Sequence, residues 1–466
     1  MIVPDWVQDA VFYQIFPDRF ANGDPSNDAV NAQPWGAAPT LWGFQGGDLR
    51  GIAQRLDYLE DLGVTALYLN PIFFAGSNHR YNTIDYLRID PHLGQMEDFT
   101  ALVERVHAQG MRLILDGVFN HSGRGFPAFV DLLENEEHSA YRDWYHVRQF
   151  PLDAYGPGKA ERYLAWWGIK SLPKFNTSNP EVRSLLLSVA RTWIERGADG
   201  WRLDVPNEID DDSFWAEFRD TVKRTNPEAY LLGEIWTVDP RWVGGSHFDG
   251  LMNYPVREAM LEFLAAGQLK PGDFSRRIEE ILSAYPEEHL LAHYLPIGSH
   301  DTPRIRTLCP DDRRLRQLFL VQFSLPGAPG IYYGDEIGLE GDKDPDSRRA
   351  FPWDPGRWDE NLRGFLRTLV RVRKAEVTLR RGEYRTLIAD DEHGVMAFAR
   401  RLGERESRIV LNTSDRVQTV VLPAGSGWVP GHAVHEPLRG ESLQITGQGV
   451  RFDLEPLGAR LWLPSP

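Results

Sequence analysis

Four acidic residues stand where short apolar runs of this chain give way to polar turns. The ends read Asp116-Gly117-Val118-Phe119-Asn120-His121, Gly200-Trp201-Arg202-Leu203-Asp204-Val205-Pro206-Asn207-Glu208, Gly233-Glu234-Ile235-Trp236 and Gly298-Ser299-His300-Asp301-Thr302-Pro303-Arg304. A single Asp after a strand is most often the N-cap of the next helix, a single His a satisfied polar residue and a single Arg a surface group. Four carboxyls in one place are harder to explain that way. They repel one another and lose hydration, so such clusters mark metal sites or acid/base pairs. Arg202 and Asp204 lie two residues apart, which on a strand puts both on one face. An adjacent guanidinium there favours the ionised carboxylate.

The elements that must position these groups are legible as alternation. Strand-length apolar runs occur at 11–16, 64–69, 112–115, 201–205, 230–232, 293–297 and 331–333, with a weaker one near Leu251. Between them lie helical periods. Leu49, Ile52, Leu56, Leu59 and Leu62 form one stripe, Phe99, Leu102, Val103 and Val106 another, and Val182, Leu185, Leu186, Val189, Trp193 and Ile194 a third. Gly63, Gly110 and Gly197 follow these stripes directly, where helix C-caps favour glycine. Strand–helix alternation predicts a parallel sheet covered by helices. About eight strands predict an α/β, (β/α)8 TIM barrel, whose catalytic groups gather at the carboxyl ends of the strands. A doubly wound open sheet is the second choice.

Residues 121–176 follow the third strand, are rich in aromatics, Pro and Gly, and show little helical period. They predict an inserted subdomain. After about residue 380 short alternating runs take over, separated by turns such as Asn412-Thr413-Ser414-Asp415 and Ala424-Gly425-Ser426-Gly427. These predict a C-terminal antiparallel β-sandwich. The expected organisation is a catalytic barrel over 1–120 and 177–380, an insertion over 121–176 and a sandwich over 381–466.

Taken together, the four segments in this order resemble the signature regions of the α-amylase family of glycoside hydrolases (glycoside hydrolase family 13). A fifth segment, Leu172-Pro173-Lys174-Phe175-Asn176, is similar to that family's motif near the end of its insertion. Its Pro-Lys form and Val205-Pro206-Asn207-Glu208 resemble the neopullulanase, cyclomaltodextrinase and maltogenic amylase subgroup. Ser299 stands where many amylases have Asn, a form that also occurs in this subgroup. Subgroup members usually carry a further domain before the barrel that forms their dimer. The barrel here is expected to begin at residues 6–20, which favours a monomer.

The resemblance implies a role for each residue. Asp204 is the nucleophile of a retaining mechanism, Glu234 the general acid and then base, and Asp301 the third carboxylate, holding sugar hydroxyls. Glu234 must keep a proton near neutral pH, and Trp236 is a candidate for drying its surroundings. His121 and His300 are expected to hydrogen-bond sugar hydroxyls, and Tyr81 to stack under the sugar before the cleavage point. Asp344 and Arg348 are expected to bind the next sugar outward, and Glu208 and Trp236 to touch the acceptor side. Arg202 contacts the nucleophile, while Asp116 and Asn120 are structural within the site. The loop Asn22-Gly23-Asp24-Pro25-Ser26-Asn27-Asp28 reads by itself as a polar turn. It also resembles the subgroup's first-loop calcium site. There Asn22, Asp24, Asn27, Asp28 and Asp48 would supply side-chain oxygens and Gly46 its carbonyl to a structural Ca²⁺, which takes six to eight oxygens.

The predicted function is hydrolysis of α-1,4-glucosidic bonds in maltodextrins, cyclodextrins, pullulan or starch, with α-1,6 cleavage and sugar transfer as side reactions. A transferase or isomerase acting on maltose or sucrose is disfavoured by the Pro-Lys motif. A non-catalytic binding protein on the same scaffold is disfavoured because all three carboxylates are present, and a metal-dependent hydrolase because no His-rich ligand set exists. Composition narrows the partners. Of 466 residues, 51 are Lys or Arg and 67 Asp or Glu, a net charge of −16, which argues against nucleic acid and anionic membrane surfaces. The one cysteine, Cys309, excludes an internal disulfide and a four-cysteine zinc site. The opening Met1-Ile2-Val3-Pro4-Asp5-Trp6 lacks the pattern of a signal peptide, so a cytoplasmic location is expected.

Overall fold

A computed structural model describes residues 3–425 and 427–464; Ser426 of the expected 424–427 turn lies outside them. The eight predicted runs form one parallel sheet: Phe12–Ile15, Ala66–Leu69, Arg112–Gly117, Gly200–Leu203, Tyr230–Gly233, Gly250–Leu251, Tyr294–Pro296 and Ala328–Tyr332. Neighbours in sequence pair in register, and the eighth strand pairs with both the first and the seventh. A parallel bridge between Met252 and Tyr294, with Asn253 N–H donating to the Tyr294 carbonyl at 2.8 Å, joins the sixth strand to the seventh. That bridge closes a barrel and removes the open-sheet alternative.

The strands are buried on both faces, as parallel sheets require, and so read as continuous apolar runs. Alternate residues nonetheless go to different cores. Tyr13, Ile15, Leu67, Leu69, Leu113, Leu115, Trp201 and Leu203 pack outward under the helices. Phe12, Ala66, Tyr68, Ile114, Tyr230, Leu232 and Tyr294 pack together inside. Moving up the inner face by steps of two, the first layer is apolar and the next is polar: Phe12 leads to Gln14, Ile114 to Asp116, Gly200 to Arg202 and then Asp204, Leu232 to Glu234. The apolar layer fills the barrel, and the polar layer opens at its carboxyl end.

Helices cover the outside with the predicted stripes; Leu102, Val106, Leu186 and Val189 are fully buried. The stripe from Leu49 to Leu62 proves to be two helices, Leu49–Gln54 and Leu56–Leu62, broken at Arg55 with φ −108 and ψ 10. Apolar period survives such a break because the second helix resumes on the same face. Gly63, at φ 90, closes the second helix in the left-handed conformation that favours glycine.

Residues 121–176 leave the barrel after the third strand and carry one regular helix, Pro127–Asn135. Isolated bridges tie the segment's last residues back, Lys174 to His121 at its start and Phe175 to Tyr145 in its middle. Its core is aromatic: the Phe129 ring lies 4.9 Å from Tyr145 and 5.2 Å from Tyr163. A hairpin of Phe73–Ala75 and Thr83–Ile89, not evident from periodicity, lies beside the barrel mouth and delivers Tyr81 in its turn.

The C-terminal part holds a six-stranded antiparallel sheet and a two-stranded sheet of Gln418–Leu422 and Val450–Leu454. They enclose Trp428, Trp462 and Val410. Glu383–Asp390, Ala433–Glu436 and Val450–Leu454 are strands that apolar pattern did not reveal, because at most half of the residues in each are buried. Buried Arg400 fastens this part to the barrel by donating to the carbonyls of Ser324, Leu379 and Gly382. No helix among the described residues is long and apolar enough to cross a membrane.

Candidate active site

Register brings Asp116 and Arg202 side by side, since their Cα atoms pair between the third and fourth strands. Arg202 is fully buried and is the hub of the site. Its Nη1 donates to Asp116 Oδ1 and to Asp204 Oδ1, each at 2.9 Å. Its Nη2 forms an ion pair with Glu234 Oε1 at 2.6 Å. Asp116 Oδ2 in turn accepts the hydroxyls of Tyr68 at 2.7 Å and Tyr81 at 2.8 Å. Asp116 therefore orients Arg202 on one side and anchors Tyr81 on the other.

Glu234 Oε2 accepts the Val205 N–H at 2.9 Å. Val205 has φ 35 and ψ 51, a left-handed conformation that is an outlier for a β-branched side chain. Strain of this kind, on the order of 1–3 kcal/mol, persists where the surroundings over-determine it. Here it follows the expected nucleophile directly and turns a backbone donor onto the expected acid.

Three carboxyls share one guanidinium, with Asp301 nearby on Arg348, so the cluster resists full ionisation. Burial, then repulsion from Asp301 and Asp116, pushes Glu234 up from 4.5 to about 7. Burial, then repulsion from Glu234 and Asp116, also pushes Asp204 up, against the pull of Arg202. The cluster thus holds a proton near neutral pH and titrates as a unit. The direct hydrogen bond from Arg202 Nη1 favours the anion on Asp204. Trp236 is not what dries Glu234. It is 48% exposed and lies flat on Tyr254, with centroids 3.6 Å apart and an interplanar angle of 6°. The side chain of a residue two positions along a strand continues past the end of the barrel and opens to solvent.

Asp301 remains one-third exposed at the mouth, 3.3 Å from Arg348 Nη2 and 3.1 Å from His300 Nε2. Burial, then the charges of Arg348 and Arg202, holds His300 well below its ordinary value. Its tautomer follows from its partners. Gln14 Nε2 donates to Nδ1 at 2.9 Å, so Nε2 carries the hydrogen and faces the Tyr81 hydroxyl at 2.6 Å. Burial also depresses His121, to about 4. Its Nε2 lies 3.2 Å from the Tyr81 carbonyl, and Asn120 Nδ2 is 3.2 Å from its Nδ1. Both ring nitrogens of His121 are thus engaged within the protein, where it braces Tyr81. Tyr81 stacks on His300 at 5.4 Å with 6° between planes, which presents a flat phenol at the cleft.

Arg348 links the catalytic mouth to the expected outer subsite. Its Nε donates to the His300 carbonyl at 3.0 Å, and its Nη1 meets Asp344 at 3.1 Å. Glu208 lies on the other side, where Lys174 donates to its backbone carbonyl. Pattern alone missed Gln14, Tyr68, Asn70, His79 and Tyr254. Gln14 did leave a signal, as the one polar residue in an apolar run.

The first loop is tightly knit. Asn22 Nδ2 donates to Asp28 Oδ1 at 2.8 Å, and Asn27 Nδ2 to Asp48 Oδ2 at 3.2 Å. The amide oxygens of Asn22 and Asn27 are buried and accept no hydrogen bond. Gly46, at φ +85, approaches so closely that a Cβ would sit 2.3 Å from Asp28 Oδ1. These features suit a hard cation held by oxygen. Asp24 is engaged locally. Its Oδ1 accepts both the N–H and the hydroxyl of Ser26, and its Oδ2 pairs with Arg50. Asp48 caps helix Leu49–Gln54 through the Gly51 N–H. No group of three or more His, Cys, Asp or Glu side chains placed to hold a metal occurs among the described residues.

Residues 14–371 match the family described as alpha amylase, catalytic domain. The chain is 44% identical to a cyclomaltodextrinase of Geobacillus thermopakistaniensis, over 98% of this chain and 77% of that one. It is 41% identical to neopullulanase 2 of Thermoactinomyces vulgaris, over 98% and 78%. Among solved structures, it is similar to a cyclic α-maltosyl-(1→6)-maltose hydrolase from Arthrobacter globiformis, with TM-score 0.90, 39% identity and coverage of 99% and 100%. With three carboxyls, a shared arginine and a tyrosine platform at the carboxyl end of an eight-stranded barrel, the chain belongs to the α-amylase family of glycoside hydrolases.

Proposed function

We propose that this protein is a retaining α-glucan hydrolase acting on α-1,4 bonds of maltodextrins, cyclodextrins, pullulan or starch, with α-1,6 cleavage and sugar transfer as secondary reactions. The observation that carries this reading is the shared guanidinium. Arg202 holds Asp204 on one terminal nitrogen and pairs with Glu234 on the other. That fits the close carboxyl spacing, roughly 5 Å, of retaining enzymes rather than the wider gap of inverting ones.

Asp204 Oδ1 is tied to Arg202, so Oδ2 is the oxygen left to attack the anomeric carbon. The bond from that carbon to the leaving oxygen breaks as Glu234 transfers its proton to that oxygen, and a glycosyl ester of Asp204 forms. Glu234, now ionised, takes a proton from water. The resulting hydroxyl displaces Asp204 and restores the original anomer. A sugar hydroxyl in place of water gives transfer. Tyr81 supports the sugar ring, and Asp301 with His300 receives its hydroxyls as positive charge develops.

The test is a product profile on β-cyclodextrin, pullulan and soluble starch, with the anomer read by proton NMR. Rapid cyclodextrin opening and panose from pullulan, all as α-anomers, support the reading. Initial β-anomers overturn retention, and no cleavage of any of the three overturns the substrate class.

We also propose a structural Ca²⁺ in the first loop. The buried amide oxygens of Asn22 and Asn27 support it, together with Asp28, Asp48 and the Gly46 carbonyl. Asp24, engaged with Ser26 and Arg50, and Asp48, which accepts from Gly23, Asp24, Asn27 and Gly51, would complete the set by turning a carboxylate oxygen to the ion. The ion would pin the segment that precedes helix Leu49–Gln54, without entering the reaction.

A further inference from the structure

Trp42 is 78% exposed and Leu41 beside it 53%, an unusual display for large apolar side chains in a short loop. The loop is not loose. Asn78, only 3% exposed, donates to the carbonyls of Leu41 at 3.1 Å and Gly43 at 2.8 Å. Arg19, 1% exposed, donates from Nη2 to the Gly43 carbonyl and from Nη1 to the Arg348 carbonyl, both at 2.7 Å. The Gly43 N–H is taken up by Thr40 Oγ1 at 2.9 Å. Buried polar side chains thus hold the backbone that carries this exposed indole, and Arg19 ties that backbone to the segment of Arg348. Rigid placement of this kind is what a binding platform needs and what a solvent-facing loop does not.

The neighbourhood completes a site. Trp42, Arg19, His79, Asp344 and Arg348 line one open cleft of about 120 Å³, which the exposed Trp42 is free to extend outward. The cleft is continuous with the catalytic mouth through Arg348, which pairs with Asp344 at 3.1 Å and with Asp301 at 3.3 Å. An aromatic face beside charged hydrogen-bonding groups is the composition that recognises a pyranose, whose axial C–H groups are apolar and whose rim is polar.

We propose that Trp42 is the stacking platform for a third glucose unit on the non-reducing side of the cleaved bond, beyond the sugars at Tyr81 and at Asp344 and Arg348. This rests on the α-glucan reading above and adds a preference for chains with at least three units on that side.

The test compares p-nitrophenyl α-maltotrioside with p-nitrophenyl α-maltoside, following cleavage at the nitrophenol bond with products resolved by chromatography. Trp42→Ala is expected to lower the ratio of the two kcat/KM values about tenfold, the worth of one well-placed aromatic contact. Trp42→Phe, which keeps a ring, should restore most of that ratio. Because the residue is exposed, the fold survives both changes, and matching melting curves would verify that. An unchanged ratio, or an equal proportional loss on both substrates, overturns the platform while leaving the hydrolase reading in place. A wild type that cleaves neither glycoside overturns both.

Discussion

Glu234 is predicted to set the alkaline limit of activity. Its carboxyl is raised from 4.5 to about 7 by burial and by Asp301 and Asp116. That is roughly 3 kcal/mol of preference for the protonated form, at about 1.4 kcal/mol per unit. The acid must hold its proton in free enzyme, so kcat/KM on a chromogenic maltoside should fall tenfold per unit above about pH 7, with a roughly hundredfold loss by pH 9. Asp301→Asn removes a repelling charge and lets Glu234 ionise sooner. The limb should then move down by about one unit, however low the absolute rate becomes. Stability follows with a definite sign. A raised carboxyl binds its proton more tightly in the folded state, so its contribution is present below about pH 4.5 and lost as pH rises to about 7. The melting temperature of Glu234→Gln minus that of wild type should therefore climb from pH 4.5 to 7 and then level. A limb above pH 9 in wild type, or an upward shift in Asp301→Asn, would refute the argument.

Asp204→Asn should keep the barrel, since Arg202 still has Asp116 and Glu234, yet lose turnover by at least a thousandfold; near-normal activity in the purified variant would exclude Asp204 as nucleophile. Gln14→Leu removes the donor that fixes the His300 tautomer and should cost about tenfold in kcat/KM, the worth of one such hydrogen bond, with circular dichroism unchanged. An unaffected rate would mean that His300 is held without Gln14. Prolonged EDTA treatment should lower the melting temperature by several degrees, restored by Ca²⁺ and not by Mg²⁺, because binding to the native state alone stabilises it. No shift after denaturation and refolding in chelator would exclude the ion.

Much of the fold was legible because parallel strands buried on both faces are continuous apolar runs. Seven of the barrel strands announced themselves this way, and the two-residue Gly250–Leu251 only weakly. What did not register had weaker local signals. The break at Arg55 leaves the apolar stripe intact, and strand Glu383–Asp390 is largely half-exposed. The hairpin that carries Tyr81 has shifted register and mixed burial, so no clean period of two remains.

The site divided in the same way. Residue type and position at strand ends were enough to single out Asp116, Arg202, Asp204, Glu234 and Asp301, since inward-facing polar groups in apolar strands are few. That Asp204 shares a face with Arg202 follows from the period of two along any strand. Sequence could not supply what depends on the approach of distant segments. Only the pairing of strands from distant parts of the chain puts Glu234 against the guanidinium of Arg202 and brings Gln14 to His300, 286 positions away in the chain. Only the packed surroundings raise the acid, because burial and neighbouring charge are properties of the assembled site rather than of any residue. The same holds for Trp42, one tryptophan among 15 in the sequence, which acquires a place beside Arg348 when Arg19 and Asn78 fasten its loop.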